Sequence, residues 1–445
     1  MLNLKKLYFI ALVLNVGCLA ACSADGSKSG DGTQPVTSPP TAPEKSKEPV
    51  TLVFYSPNGP SETDEAFMEQ IGNPIQKKFP YITVKFVHPP DTNPEGQLDA
   101  MMAAGESIDI FLNADLNHYR LITPYKFEYD ISDMIKKSNF DLSRLDDSSV
   151  QAVRALSKGG LYALPYRMNV QALLYNKDVF DKFGVPYPKD GMTWDDVYEL
   201  AKQMTRMDGD KQYRGFVTQT YNYAWMNQLS AGFVDPKSDK ALYNSDERWT
   251  RIVRNLSRFY EIPGNALKEN SFSAVSNVFY KDKLAAMYAY FMPTISQEVN
   301  WDVVTYPEYG DRRGIGPQAN LTLAYITSMS KHKDAAFDAI AYMTSDEFQM
   351  NQAKKALSFP VTKTQAVKDA FGQDADFLKG KNMRAVAKSK PAPTFEGSPY
   401  SRTAAVELEK IMYQLGKGQG DVNTAIRTIT ELADKSIDTV KAGKK

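Results

Sequence analysis

Aromatic rings and amides occur together in one short stretch that could bind a sugar. Tyr221, Tyr223 and Trp225 alternate along the chain, and Asn227 follows them. The stretch comes after a predicted strand and opens a helix predicted over residues 224–231. Residues two apart point the same way in an extended chain, so the rings could stack on the apolar face of a sugar while the Asn227 amide binds hydroxyls. Half-buried core is the alternative interpretation of the same rings.

Polar side chains also follow predicted strands in the N-terminal part of the chain. Asn58 comes after a strand over residues 50–55, and Asn113 and Asp115 come after a strand over 107–112. Ligands bind beyond the carboxyl ends of strands in open α/β sheets, and these groups can donate to or accept from sugar hydroxyls. Asn and Asp also dominate ordinary turns, so each has a turn interpretation beside the ligand-binding one.

Recognisable catalytic motifs are absent from the sequence. The three histidines, His88, His118 and His332, lie far apart with polar neighbours, so we expect them on the surface. No His-Glu-x-x-His, Gly-x-Ser-x-Gly or P-loop pattern occurs, and Asp208-Gly-Asp210 is typical of a turn because the EF-hand offsets are missing. We therefore expect no enzyme activity, no cofactor and no metal. A carbohydrate-active enzyme stays the alternative, since paired carboxylates meet in space and not in sequence.

The chain is too long for a single hydrophobic core. It has 445 residues, and single cores stop growing at about 250–300 residues, so we expect two domains. The 53 basic and 53 acidic side chains cancel, which gives no basic field to attract nucleic acid. Tyrosines number 25 and phenylalanines 22, which suits a cleft that holds rings, although most of them are expected in the core.

The N-terminal part alternates strands and helices. Apolar residues Phe67, Ile71, Ile75 and Phe79 recur at helical spacing and predict a helix over 61–79. Strands are predicted on either side of it, and a further helix and strand follow. This alternation favours parallel strands joined by right-handed crossovers.

A passage between two sheets is predicted near the middle of the chain. Two apolar runs rich in β-formers, residues 161–166 and 170–175, follow each other closely. Pro165 has no N–H to donate, so it marks a strand end or a sheet edge. Such a passage would be a hinge between two lobes, each built on one of the sheets. Tyr166 and Arg167 lie in this passage, next to both lobes. An arginine there can fork onto paired hydroxyls or a carboxylate of a ligand, or pair with an acid across the hinge.

These residues also carry a resemblance to a known family. The runs Tyr162-Ala-Leu-Pro165, Tyr175-Asn-Lys-Asp178 and Thr193-Trp-Asp-Asp196 resemble the family 1 extracellular solute-binding proteins. Those are ligand-capturing lipoproteins of ABC importers and relatives of the maltose-binding protein. The likeness covers roughly residues 50–430. It implies an α/β fold of two lobes joined by a hinge, the type II periplasmic-binding-protein arrangement.

The resemblance also implies lobe boundaries and two further site residues. Lobe 1 would comprise residues 50–164 plus about 321–357, and lobe 2 would comprise 165–320 plus about 358–445. Tyr290 lies at the end of a predicted strand, where the family usually places an aromatic contact. Asn320 sits just before the chain crosses back to the first lobe, and is placed similarly to Arg167.

The N-terminus predicts export and a lipid anchor. Two lysines precede an apolar run over residues 7–21, which is short for a membrane span and fits a signal peptide over residues 1–21. The run ends in Leu19-Ala-Ala-Cys22, which matches a bacterial lipobox in which the Cys is acylated. Residues 22–49 then form a tether, because Ser, Gly, Pro and Lys cannot bury enough apolar surface to order it.

Together these patterns predict a lipid-anchored protein on the outer face of the cell membrane. It would capture a small solute, an oligosaccharide by preference, and deliver it to the permease subunits of an ABC importer. We expect a monomer with no nucleic-acid partner. The alternatives are a secreted, lipid-anchored carbohydrate-active enzyme and a binder of a non-sugar solute, for which Arg167 leaves room.

Overall fold

The computed structural model describes residues 47–58, 62–266, 271–293 and 297–443, with Phe272 described in its backbone only. The predicted signal peptide, Cys22 and most of the tether lie outside the described residues. Strands occupy twelve segments: β1 Val50–Tyr55, β2 Ile82–Val87, β3 Ile110–Ala114, β4 Ala163–Asn169, β5 Gln171–Asn176, β6 Arg206–Asp208, β7 Lys211–Thr218, β8 Ala285–Phe291, β9 Trp301–Val304, β10 Ile315–Gly316, β11 Asn320–Ile326 and β12 Lys390–Pro391.

Helices surround these strands. They are α1 Asp64–Phe67, α2 Asn73–Lys78, α3 Pro94–Ala103, α4 Ser132–Lys137, α5 Asp147–Leu156, α6 Lys177–Phe183, α7 Trp194–Met204, α8 Thr220–Trp225, α9 Glu247–Glu261, α10 Phe272–Tyr280, α11 Lys333–Met343, α12 Asp346–Lys354, α13 Gln365–Asp369, α14 Ser401–Gly416 and α15 Val422–Gly443. A π-helical turn over Met68–Gly72 joins α1 to α2, so the helix expected over 61–79 forms with one wide turn inside it.

Two five-stranded sheets organise the fold. The first has the order β2-β1-β3-β11-β4, and the second has the order β6-β7-β8-β5-β9. In the first sheet β1 is parallel to β2 and β3, as the alternation of strands and helices predicts, and β11 runs antiparallel to β3 and β4. The predicted return of the chain to the first sheet is therefore made by β11.

The passage between the sheets is a single residue long. β4 ends at Asn169 as the edge strand of the first sheet, and β5 begins at Gln171 in the second. Pro165 lies in this edge strand, beside a shift in the register between β4 and β11. An edge tolerates the missing N–H, which confirms the prediction for Pro165 and for a crossing at this place.

Each sheet has its own hydrophobic core. Leu52, Phe111 and Leu323 belong to the core of the first sheet, and Phe359 and Val361 extend that core past residue 357. The second sheet is covered on both faces, since neighbouring residues Leu173 and Leu174 of β5 enter two different clusters. Alternate residues of a strand point to opposite faces, so β5 is sandwiched between helices as an α/β architecture requires.

Local signals place the helices of the second lobe accurately. Thr193 and Asp196 form the predicted capping box at the start of α7, and Gly184 ends α6 at φ 63°. Gly215 allows α7 and β7 to pack closely, because a Cβ there would lie 2.1 Å from the carbonyl oxygen of Ala201.

Two expectations about local structure are wrong. The helix expected over 224–231 is instead α8, which ends at Trp225. Asn227 ends it, because its amide bonds the backbone of Ala224 and Ala231, and short polar side chains of this kind compete with helix continuation. His118 is also buried, at 2% exposure, where its Nδ1 lies 3.1 Å from the hydroxyl of Tyr325. Burial lowers the pKa of His118 to about 4.

Candidate functional site

Two predicted side chains lie together at the carboxyl end of β3. Asn113 is 1% exposed, and neither polar atom of its side chain has a hydrogen-bond partner among the described residues. Asp115 follows two residues later, and its Oδ1 accepts from the backbone N–H of Leu116 at 2.8 Å. Burial raises the pKa of Asp115 to about 7. This strand end therefore supplies polar groups whose hydrogen-bonding capacity the protein does not fully use.

A ladder of aromatic rings faces this strand end from the second lobe. Tyr221 and Trp225 stack with ring centroids 5.6 Å apart and planes within 14°. Trp225 in turn stacks on Phe233 at 5.2 Å and meets the edge of Phe395 at 5.7 Å. Trp225 is only half-buried, so part of its ring remains available to a ligand.

The conformation of this aromatic stretch differs from the extended chain that was expected. It forms the helix α8, in which residues four apart share a face and residues two apart do not. Tyr221 and Trp225 therefore stack, whereas Tyr223 turns into the core, where its hydroxyl accepts from Asn255 at 2.9 Å. The platform thus has two of the three expected rings.

Asp115 and Trp225 line one cavity between the two lobes. Lobe 1 contributes the turns that follow β3 and two residues of α5, and lobe 2 contributes α8 and the chain that leads into α14. Residues 318–319 close one end, where the chain makes its second crossing and returns to the first sheet. The lining residues are Asp115, Leu116, Tyr119, Ala152, Leu156, Trp225, Met226, Gln318, Ala319, Thr394, Phe395, Gly397 and Ser401. We call this space the cleft cavity.

The cleft cavity is nearly shut in this structure. Its volume is about 40 Å³, and a single water needs roughly 10–15 Å³, so it holds a few waters at most. The Tyr119 hydroxyl of lobe 1 also donates to the carbonyl oxygen of Gly397 of lobe 2 at 3.1 Å. A solute the size of a sugar can enter only when these walls separate.

The hinge contributes a pair of amides beside the cavity. Asn169, the last residue of β4, is exposed, and its Nδ2 donates to Oδ1 of the predicted site residue Asn320 at 2.8 Å. The adjacent Gln318 is held by its own bonds, donating to the backbone oxygen of Asn227 at 2.8 Å. This amide pair therefore links the crossing after β4 to the crossing before β11.

The other predicted site residues are engaged elsewhere. Tyr166 is 2% exposed in the core of the first sheet, and Nη2 of Arg167 donates to Oε1 of Gln70 at 2.9 Å. Tyr290 stacks on Tyr288 with centroids 4.9 Å apart. None of these three is among the described residues that line the cleft cavity.

Asn227 and Asn58 also have structural engagements. Asn227 is 4% exposed, and three hydrogen bonds to Ala224 and Ala231 use its whole amide. Asn58 is exposed and donates to Glu62 at 3.0 Å. Of the predicted residues, Asp115 and Trp225 line the cleft cavity. Tyr221 stacks on Trp225, Asn113 precedes Asp115 by two residues and Asn320 follows the lining residue Ala319, so these three adjoin the lining without belonging to it.

Sequence reasoning missed several residues of the cleft. Tyr119 lies one turn beyond Asp115, and Phe395 and Gly397 come from a coil segment before α14 that is remote in sequence. Asn169 could have been predicted as a residue near the cleft, because it is the polar residue that ends the strand before the crossing. The coil segment had no such signal, since its approach to the cleft depends on the packing of α14 against α8 and α9.

Other kinds of site find no support within the described ranges. Groups of three or more His, Cys, Asp or Glu side chains that could hold a metal ion do not occur there. None of the helices within the same ranges has the length and the hydrophobic composition of a membrane span.

Comparison with known proteins gives both sequence relatives and a family match. Residues 59–350 match the family model of the bacterial extracellular solute-binding proteins. A galactooligosaccharide-binding protein of Bacillus subtilis (strain 168) is 19% identical over 315 residues, covering 67% of this chain and 70% of the relative. An sn-glycerol-3-phosphate-binding periplasmic protein of Agrobacterium fabrum is 31% identical over 110 residues, covering 23% and 24%.

Solved structures share the two-lobe fold. An ABC substrate-binding protein from Listeria monocytogenes in complex with cycloalternan has a TM-score of 0.69 at 17% identity, covering 88% of this chain and 100% of that one. A cyclo/maltodextrin-binding protein complexed with maltotetraose has a TM-score of 0.66 at 14% identity, covering 89% and 99%. These likenesses confirm the expected fold, and because the family model spans well over half of the sequence, the chain belongs to the bacterial extracellular solute-binding protein family.

Proposed function

We propose that the protein captures an oligosaccharide between its two lobes and delivers it to an ABC importer. The observation that carries the proposal is Trp225, whose ring stacks on Tyr221 and lines the same cleft cavity as Asp115. Rings supply a flat apolar surface, and a few fixed polar groups supply orientation, which is the usual composition of a small-molecule site. The solutes named for its relatives, a galactooligosaccharide and maltotetraose among them, support the same class.

A neutral solute suits the cleft better than an acidic one. No lysine or arginine is among the described residues that line the cleft cavity. Arg167, which left room for an acidic ligand, donates instead to Gln70 inside lobe 1. An uncompensated anionic ligand beside Asp115 would meet repulsion when the walls close, whereas sugar hydroxyls can both donate to and accept from that carboxyl.

Binding and not catalysis is the proposed activity. The members of this family bind solutes, and Asp115 is the sole carboxylate that lines the described cleft cavity. Glycoside hydrolysis needs a second carboxyl within about 10 Å of the first, on the other side of the scissile bond. Shortened sugar products in an incubation assay would instead identify the alternative, a carbohydrate-active enzyme.

Anchoring, lobe boundaries and partners complete the proposal. Acylation of Cys22 would hold a monomer on the outer face of the membrane, where permease subunits take the solute. The expected bounds of lobe 1, residues 50–164 and about 321–357, would extend to 50–169 and about 320–361, because β4 and β11 belong to the first sheet and Phe359 and Val361 to its core. Replacing Cys22 by Ser should leave the protein unlipidated or released; lipid labelling of the Cys22→Ser protein would contradict this part.

A thermal-shift panel tests the solute class. Maltotetraose, a galacto-oligosaccharide, cycloalternan, glycerol 3-phosphate and an amino-acid mixture are each added to the protein. A ligand that binds only the folded state at 100 times its Kd stabilises it by about 2.7 kcal/mol. We expect a rise in Tm with at least one oligosaccharide. A rise confined to glycerol 3-phosphate or to amino acids would contradict the proposal.

A further inference from the structure

Arginines form a stripe on the outer side of lobe 2. Arg248, Arg251, Arg254 and Arg258 follow each other along α9 at spacings of three and four residues, so they share one helical face. All four line a groove of about 830 Å³. The opposite wall comes from the start of α7 and from the loop that contains Arg312. We call this feature the arginine groove.

Three of the stripe's arginines are paired with acids of the protein. The three ion pairs are Arg248 with Asp246 at 2.5 Å, Arg251 with Asp311 at 2.8 Å and Arg258 with Asp195 at 2.5 Å. Paired guanidiniums of this kind gain little from a further anion. The binding capacity of the groove must therefore come from its other cations.

Arg254 and Arg312 are the arginines of the groove whose guanidinium groups can still pair with an acidic ligand. Neither guanidinium lies within ion-pairing distance of an acidic group in the part of the chain that the structure describes, whereas their neighbours do. Both line the groove, one from α9 and one from the facing loop. A guanidinium presents a planar fork of donors that matches a carboxylate. Two such forks on opposite walls fit an acidic chain lying between them.

The groove shares a segment with the cleft. Nη1 of Arg248 donates to the backbone oxygens of Leu229 and Ser230 at 3.2 and 3.1 Å. Just before them, Gln228 accepts from the indole N–H of Trp194 at 2.9 Å. The same segment begins at Met226, which lines the cleft cavity. Residues 226–231 thus connect the cleft cavity, which Met226 lines, to the groove, which Leu229 lines.

We propose that the arginine groove docks an acidic segment of a protein partner. A protein segment is favoured over a membrane because the groove is concave and contains four acids of its own, Asp195, Glu247, Glu308 and Asp311. Those carboxylates repel a continuous anionic surface, whereas a peptide can direct its side chains to Arg254 and Arg312 and avoid them. That the partner is the one receiving the solute, through residues 226–231, rests on the proposed function.

Binding of a labelled octaglutamate peptide to the purified full-length protein tests the docking. Fluorescence polarisation should show binding that weakens as salt rises, because the contacts are exposed ion pairs. The double variant Arg254→Glu/Arg312→Glu should bind at least tenfold more weakly. Arg427→Glu replaces an arginine on α15 that is exposed like Arg254; it is the control and should bind the peptide like the unaltered protein.

Three results would overturn the proposal. The first is an equal loss of peptide binding in Arg427→Glu, and the second is no loss in the double variant. The third is that the peptide does not bind, whereas phosphatidylglycerol vesicles or inorganic phosphate bind and need the two arginines. The melting temperature of each variant shows that it is folded. A thermal shift with maltotetraose on the same samples reports on the cleft alone, so failure of the proposed function and failure of the docking site give different patterns.

Discussion

Tyr119 and Gly397 join the two walls of the cleft through one hydrogen bond. The phenol of Tyr119 in lobe 1 donates to the backbone oxygen of Gly397 in lobe 2 at 3.1 Å. A Cβ at position 397 would lie 3.0 Å from a ring carbon of Tyr119, so glycine lets the ring approach this closely. Hinged binding proteins open and close around their ligands, and this bond can exist only in the closed arrangement.

Tyr119→Phe is expected to weaken sugar capture. A neutral hydrogen bond contributes about 0.5–1.5 kcal/mol, so the Kd for the best sugar of the panel should rise roughly 2- to 10-fold. Calorimetric titration measures it. Tyr125→Phe is the control, because the Tyr125 hydroxyl bonds Asp99 within lobe 1 at 2.9 Å. Equal affinities for Tyr119→Phe and the unaltered protein would show that the bond does not favour closure.

Trp225→Ala should cost more in affinity than in stability. Stacking of a base on an aromatic ring, the nearest calibrated case, is worth about 1–3 kcal/mol, so sugar affinity should fall roughly tenfold or more. The half-buried ring touches Phe233 and Phe395, so some stability is lost too. The loss should stay below the ~3–5 kcal/mol of a fully buried aromatic.

Trp301→Phe is the counterpart of that change in the core of the second lobe. Trp301 is 2% exposed and packs in a cluster away from the cleft cavity. Its replacement should lower the Tm and leave sugar affinity as it is. If Trp225→Ala lowers the Tm as much as Trp301→Phe does and its sugar affinity equals that of the unaltered protein, Trp225 does not face the ligand.

Asp115 should make the stability depend on pH. Burial raises the pKa of Asp115 from the ordinary value of 3.8 to about 7, so the folded protein holds a proton that the unfolded chain has released. Stability should therefore fall as the pH rises from about 4 to 7 and level off above that. Asp115→Asn, which stays neutral, should be more stable than the unaltered protein at pH 8, by about 1–4 kcal/mol, and no more stable at pH 4.

Denaturant unfolding of both proteins from pH 4 to pH 8 measures this difference. Asp109→Asn is a comparison within the same lobe, because Asp109 accepts from the backbone N–H of Val53 at 2.9 Å and should lose stability on replacement. Parallel pH profiles for the unaltered protein and Asp115→Asn would mean that the Asp115 carboxyl stays solvated and charged.

Asn227→Ala should unfold more easily without losing its ligand. The amide makes three hydrogen bonds that end α8, and leaving such buried groups unpaired costs about 1–3 kcal/mol. Melting and calorimetry on the same sample separate the two effects. A large loss of sugar affinity in protein that is still folded would restore Asn227 to the binding site.

The elements that local sequence determines were predicted well. The β4–β5 crossing, the capping box at Thr193 and the glycine end of α6 each follow from the identity of a few neighbouring residues. Asp115 and Trp225, predicted from polar groups and rings that follow strands at the edge of an α/β sheet, line the cleft cavity; their contact with a ligand stays a prediction.

The remainder depended on packing between distant segments. The burial of His118 against Tyr325 joins residues 207 positions apart, and its polar sequence neighbours gave the opposite expectation. Asn227 was predicted for the ligand because its residue type suits both a binding site and a turn. Arg167 was ambiguous for the same reason, and its hydrogen bond to Gln70, on a segment remote in sequence, could not be read from its neighbours.

Titration of the protein with the best sugar of the panel, followed by chromatography of that sugar after prolonged incubation, tests the central claim most directly. We expect saturable 1:1 binding that Trp225→Ala weakens at least tenfold, with the sugar recovered intact. Recovery of shortened products would identify an enzyme, and heat-silent titrations with no change in Tm for every oligosaccharide would contradict sugar capture by this cleft.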